Sequence, residues 1–160
     1  MMVYSRLEFV ELDELKEHEE TDPERLQNTL RSIEVVGFLA KPLAADHRTL
    51  VVLDGAHRLN ALRRKQCRVV PVRLVDYMSE EIVVYSMDRK TIISKDDVIE
   101  AALSGRKFPP RTTWHMIRME NGCLGHISLI EGEINFPLST LTNHESTMNG
   151  QGEQERRRTH

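Results

Sequence analysis

The 160-residue sequence predicts an α+β fold: a small mixed sheet with packed helices, plus a short C-terminal helix and hairpin. Three observations predict it. Short apolar runs alternate with two segments of helical spacing in the first half. An unbroken apolar run, Leu50 to Leu53, leads straight into Asp54-Gly55 and then a helix-like segment. A capped helix and an Asn-Gly hairpin signal follow in the second half. With 39% hydrophobic residues the chain can bury a substantial core.

The elements read in order as follows. Leu7 to Val10 alternates and predicts a short strand. Thr21-Asp22-Pro23-Glu24 announces a helix: Thr21 or Asp22 can accept the unpaired N–H groups, and Pro23 suits the first turn. Leu26, Leu30 and Ile33 form its apolar face, and Gly37 stops it. Strands are predicted at Lys41 to Asp46 and Thr49 to Leu53, the second buried on both faces. Ala56 to Gln66 is helix-like, with Ala56, Leu59 and Leu62 on one face. Arg63, Arg64 and Lys65 suit its negative end. Val69 to Val75 is another strand. Ser79 to Met87 reads equally as helix or strand. Ser94 to Ser104 is a helix with capping-box spacing between Ser94 and Asp97, an apolar face of Val98, Ile99, Ala102 and Leu103, and Gly105 after it. Trp114 to Glu120 and Cys123 to Ile130 form a hairpin across Asn121-Gly122. Residues 1–78 form one expected unit, 79–142 a helix-plus-hairpin extension completing the site, and 143–160 a polar tail expected to be disordered.

Composition excludes several classes. A formal net charge of −3 gives no global drive toward nucleic acid or an anionic membrane. The N-terminal residues lack the apolar core of a signal peptide, and no apolar run is long enough to span a bilayer. Cys67 and Cys123 fit neither a disulfide framework nor a zinc ribbon, so the expected compartment is the reducing cytoplasm.

The informative stretch is LVVLDGAHRLNALRR, Leu50 to Arg64. A buried strand enters Asp54-Gly55, and the first turn of the next helix carries His57 and Arg58. A helix N-terminus presents unpaired N–H groups and partial positive charge, and Gly55 admits a ligand close to the backbone. Gly55, Ala56, His57 and Arg58 therefore form a candidate phosphate site. Asp54 as a helix cap, and Arg58 as an ion-pair partner of Asp54 or Glu19, are the alternatives at this level.

The stretch LDGAHRLNALRRKQCRVVPVRLVDY resembles the ParB/sulfiredoxin superfamily, with its strand, Gly-x-[His/Arg]-Arg, helix and Val-Pro-Val strand. Sulfiredoxins place a reactive cysteine where this chain has Ala56. Chromosome-partitioning ParB proteins show Gly-Glu-Arg-Arg there and continue into a helix-turn-helix. Free L-serine kinases resemble this chain best. They carry Asp-Gly-x-His-Arg, matched by Asp54, Gly55, His57 and Arg58. They also carry a His-Glu pair matched by His18-Glu19, and a Pro-Pro-x-Thr-Thr-x-His segment matched by Pro109 to His115.

That resemblance implies phosphoryl transfer from ATP or ADP to the hydroxyl of free L-serine, giving O-phosphoserine, with Mg²⁺ as cofactor. It implies Glu19 as general base, with Glu20 the neighbouring choice, and catalytic roles for Asp54 and His57. Asp54 would also hold the metal. Thr112, Thr113 and His115 would form a substrate wall. Without the resemblance, Glu17 to Glu20 reads as a solvated acidic loop, and the threonines as hydroxyls satisfying local backbone. Two other readings compete: a ParB-like nucleotide-binding module in DNA partitioning or transcriptional regulation, and a nucleotide hydrolase of the same fold. Nucleotide and free serine are the implied partners, with no membrane. The choice of donor and the oligomeric state stay open at this level.

Overall fold

The protein is described by a computed structural model covering residues 5–142; the predicted disordered tail, 143–160, lies outside the described residues. The elements are β1 (Ser5–Glu11), α1 (Pro23–Val36), β2 (Phe38–Leu39), β3 (Leu43–Asp46), β4 (Val52–Asp54), α2 (Ala56–Arg64) and β5 (Val69–Val75). After them come β6 (Ile82–Ser86), α3 (Lys95–Ser104), β7 (Thr113–Arg118), β8 (Leu124–His126), β9 (Phe136–Pro137) and α4 (Leu138–Thr142).

Their ends follow from local chemistry. Asp22 caps α1 by accepting from the N–H groups of Glu24 and Arg25, and Gly37 closes it at φ +80°. Ser94 and Asp97 complete a reciprocal capping box on α3. Within residues 79–87, ambiguous in sequence, Ile82–Ser86 form strand β6. Several predicted runs are shorter than expected, two of them for a clear local reason. Leu50 takes φ +60°, so the apolar run 50–53 enters the sheet only at Val52, after a turn in which buried Asp46 accepts from Thr49. The second hairpin strand ends at His126, because the imidazole Nδ1 accepts from the Ser128 N–H and starts a 3-10 turn at Ile127–Ile130. Two buried faces also differ in composition. Ala61 rather than Ala56 joins Leu59 and Leu62 under α2, and Ala101 joins Val98 under α3 while Leu103 stays exposed.

The main sheet has the order β1-β5-β3-β4. β1 and β5 are antiparallel, β5 and β3 parallel, and β3 and β4 antiparallel. It is the small mixed sheet expected. Pro71 fits in central β5 because pairing with β3 begins only at Val72, so its missing N–H costs no ladder bond there. Leu43, Ala45, Val52, Leu59, Leu62, Val70 and Val72 fill the core between this sheet and α2. The second sheet, β6-β7-β8, is an antiparallel meander. Tyr77, Ile82, Val98 and Ile127 pack it against Val51, Leu53 and Val75 of the first.

A strap, residues 16–20, joins the two. The Lys16 N–H donates to Leu50 O at 3.0 Å, and the Val52 N–H to Lys16 O at 2.8 Å. On its other edge the Phe108 N–H donates to His18 O and the Glu20 N–H to Phe108 O, both at 2.8 Å.

Buried charge makes a second tie. Glu131 is fully buried and meets Arg58 Nη2 with both carboxylate oxygens at 3.1 Å; the same nitrogen donates to Asp54 Oδ2 at 3.1 Å. Arg58 Nη1 donates to Pro42 O at 2.7 Å and Lys41 O at 3.2 Å. Two carboxylates thus face one guanidinium. Burial, then Asp54, raises Glu131 far above the ordinary carboxylate range, against the pull of Arg58.

Two predictions follow from this packing. A Cβ on Gly55 would lie 2.5 Å from Leu43 Cδ2, at a φ of +103°. Gly55→Ala is therefore expected to lose about 1–3 kcal/mol in denaturant unfolding, and an unchanged midpoint would refute the strain. Glu131 binds its proton more tightly folded than unfolded. Its contribution to stability is therefore present below about 4.5 and is lost as pH rises from there toward about 9. Glu131→Gln should flatten stability against pH across that window; the same slope in both proteins would show that Glu131 is not the titrating group.

Candidate functional site

Where the first sheet meets the second, a cleft of about 500 Å³ opens over the N-terminus of α2. The sequence places it there for a local reason. β4 ends at Asp54, Gly55 turns through positive φ, and α2 starts at Ala56 with no side chain capping its first turn. The N–H groups of that turn and the helix dipole face the cleft. Asp54 does not cap the helix; it pairs with Arg58.

The structure brings most of the predicted site residues together. Glu19, Glu20, Asp54, Gly55, Ala56, His57, Arg58, Thr113 and His115 all line the cleft. Thr112 stands just behind it and donates its N–H to Glu19 Oε1 at 2.8 Å. The Thr113 hydroxyl lies 2.8 Å from Glu19 Oε2. Each oxygen of the Glu19 carboxylate is therefore held by β7 or the turn before it, 93 or 94 residues away in sequence. Glu20 is exposed, so of the two adjacent acids Glu19 is the fixed one.

Several residues have other engagements. The Thr112 hydroxyl donates to Pro109 O at 2.6 Å, a local turn contact. Arg58 carries its charge into the Asp54–Glu131 cluster and the Lys41 and Pro42 carbonyls, so its contribution to the cradle is to fix Asp54 and the turn. His57 Nε2 accepts from the Asp22 N–H at 3.0 Å, leaving Nδ1 as the donor of a neutral ring. Burial, then Arg25, lowers its proton affinity. His115 is almost fully buried with Nε2 2.8 Å from the Tyr77 hydroxyl, and burial drives it well below the usual imidazole range. It forms a fixed wall of the cleft.

Sequence reasoning did not assign a role to Arg25, on the outer face of α1, although it lines the cleft beside His57. Arg111 also lines it, 3.8 Å from Asp22 Oδ2. Both add positive charge near the α2 terminus. No motif marks Glu131 in the sequence, and only the fold shows that it reaches Arg58. Glu17 binds Asn60 at 2.5 Å, with Arg63 and Lys107 nearby, and so anchors the strap. Among the described residues, Asp46, His47 and Asp76 cluster away from the cleft; Asp46 accepts from Thr49 and Tyr77, and Asp76 from Arg48 and Met78, so these carboxylates hold turns together.

No protein-family model matches the chain. Over 74 residues it is 35% identical to the ATP-dependent L-serine kinase SbnI of Staphylococcus aureus, covering 44% of this chain and 29% of that protein. Over 82 residues it is 28% identical to the ADP-dependent L-serine kinase SerK of Thermococcus kodakarensis, covering 49% of this chain and 34% of that protein. The matches thus span about a third of these relatives' length. A free serine kinase in complex with AMP superposes with a TM-score of 0.71 at 14% identity, over 84% of this chain and 93% of that one. The α+β architecture read from the sequence is therefore shared with a free serine kinase, and the chain is similar in sequence to two L-serine kinases over the matched stretch.

Proposed function

We propose that the protein transfers a phosphoryl group from ATP or ADP to the hydroxyl of free L-serine, giving O-phosphoserine. One observation carries this reading. A clamped carboxylate, Glu19, and an uncapped helix N-terminus line the same cleft, which supports reading them as a base for a hydroxyl and a cradle for phosphates. The names of the relatives supply the acceptor and the two candidate donors.

Phosphoryl transfer asks mainly for alignment and charge neutralisation. The N–H groups at the start of α2, His57 Nδ1, Arg25 and Arg111 would hold the donor's phosphates. Glu19 would take the serine hydroxyl proton as the new oxygen–phosphorus bond forms and the bond to the departing nucleotide phosphate breaks. Thr112 and Thr113 fix that carboxylate, so its lone pairs are aimed before substrate arrives.

Asp54 fits a magnesium role: it is a partly exposed carboxylate at the cleft floor, beside the phosphate cradle. It would hold Mg²⁺ through one carboxylate oxygen or through water, together with the phosphates. The ion would neutralise charge on the donor. Among the described residues no helix is long and apolar enough to cross a membrane. The free thiols Cys67 and Cys123 suit a reducing cytoplasm, which we take as the working compartment.

The test is a product assay with purified protein, Mg²⁺, L-serine, and ATP or ADP in parallel. O-phosphoserine is expected with one donor. Glu19→Gln should lower kcat by about 100-fold or more while nucleotide binding is unchanged. Nucleotide binding without product from either donor would turn the reading to a ParB-like binding module, and full turnover in Glu19→Gln would remove the base.

A further inference from the structure

Behind Glu19 lies a chain of polar atoms that binding of phosphate or serine does not require. His18 is 6% exposed. Its Nδ1 lies 2.9 Å from Val52 O, a carbonyl that can only accept, so Nδ1 carries a hydrogen. Its Nε2 lies 2.8 Å from Thr113 Oγ1, which lies 2.8 Å from Glu19 Oε2. Two contacts therefore flank one hydroxyl, and the hydroxyl has one hydrogen. With neutral His18 and ionised Glu19, one of the two contacts sets lone pair against lone pair. One added proton gives each contact its hydrogen, whichever end of the chain it rests on.

We propose that Thr113 and His18 are a proton relay behind Glu19, taking up the proton that Glu19 removes from a substrate hydroxyl. This deepens the kinase reading and rests on it. The protons balance. The substrate O–H proton passes to Glu19. The Thr113 hydroxyl turns its hydrogen toward His18 Nε2, and the new Glu19 O–H donates to Thr113 Oγ1. A concerted shift then moves one proton from Glu19 to Thr113 and another from Thr113 to Nε2. Glu19 is again a carboxylate, Thr113 donates to it, and His18 is an imidazolium donating to Thr113 and Val52 O. After product leaves, the proton returns by the same atoms to the cleft.

The surroundings oppose and support the imidazolium in turn. Burial lowers the proton affinity of His18, while Glu19, the Val52 carbonyl and Glu17 raise it. The titratable groups facing it are Glu17 and Glu19 from the strap and His115 from β7, whose ring lies at 5.4 Å and is kept neutral by its own burial. No hydrogen bond links the two rings, so the relay ends at Val52 O. Thr113 and His18 are positioning residues: neither needs to touch substrate.

The experiment is a ¹⁵N-resolved titration of the His18 ring in the full chain, without ligands, alongside kinetics. Nδ1 should stay protonated throughout while Nε2 titrates. Thr113→Val should lower the proton affinity of His18 about tenfold, and Thr113→Ser should restore it. Glu19→Gln is an independent second variant. Its amide can donate to Thr113 and fill every contact with His18 neutral, so it too should lower the affinity. With turnover measured, Thr113→Val should cut kcat by about 10- to 100-fold and change its pH profile at unchanged nucleotide Kd, and Thr113→Ser should keep both. A titration indifferent to both variants, an unprotonated Nδ1, or a wild-type pH profile in Thr113→Val would each overturn the relay. Absence of phosphoserine from the wild-type protein would strike the kinase reading, while the ring titration still decides whether the proton chain exists.

Discussion

The constraint on which the site depends is the backbone pairing of the strap, residues 16–20. Its two edges hydrogen-bond to different parts of the molecule, the Leu50–Val52 strand entry on one side and Phe108 on the other. The pairing holds His18 against the Val52 carbonyl with Nδ1 and the Thr113 hydroxyl with Nε2, and sets Glu19 on the Thr112 N–H and the same hydroxyl. A loop free to move would pay side-chain and backbone entropy each time it presented a base. Here that cost is met on folding, by bonds the fold needs anyway.

The same economy holds at α2. A phosphate cradle made from backbone N–H groups is as rigid as the helix that bears it. Gly55 brings Leu43 and Arg58 too close to tolerate a side chain, so the turn is packed from beneath. Its positive φ then sets the direction from which the helix leaves the sheet. The cleft borrows its two main features, an aimed carboxylate and an aimed row of donors, from secondary structure.

Much of this was legible in the sequence because it rests on local rules. Asp22-Pro23 and Gly37 bracket α1, Ser94 and Asp97 box α3, and LVVLDGAHR carries strand, turn and helix in one stretch. The cleft residues from Glu19 to His115 could be named because each belonged to a short motif. What escaped depends on contacts distant in sequence. The Arg58–Asp54 pair could be read at its four-residue spacing, but Arg58 and Glu131 are 73 residues apart and nothing local marks Glu131 as the buried partner. The Leu50–Leu53 run looked like one strand because hydrophobicity does not report that Leu50 takes a left-handed turn, a conformation imposed by the Asp46 turn around it. His126 looked like a strand residue because its capping bond to Ser128 is a choice of side-chain geometry that alternation does not encode.

The buried Arg58 cluster bears on how the cleft can attract an anion at all. Glu17, Glu19, Glu20 and Asp54 line it, an arrangement that would repel phosphate if every acid were free. Glu17 accepts from Asn60 and pairs with Arg63 and Lys107, and Asp54 pairs with Arg58. A charged Glu131 would undo the second pairing, because one guanidinium would then face two anions immediately beneath the α2 N-terminus. Burial, then Asp54, pushes Glu131 toward its protonated form, which eases that crowding of anions. The positive end of α2, with Arg25 and Arg111, lines the cleft above that cluster. Of the lining acids, Glu19 has one oxygen held by the Thr112 N–H and the other by the Thr113 hydroxyl, the fixed geometry that the proposed base requires.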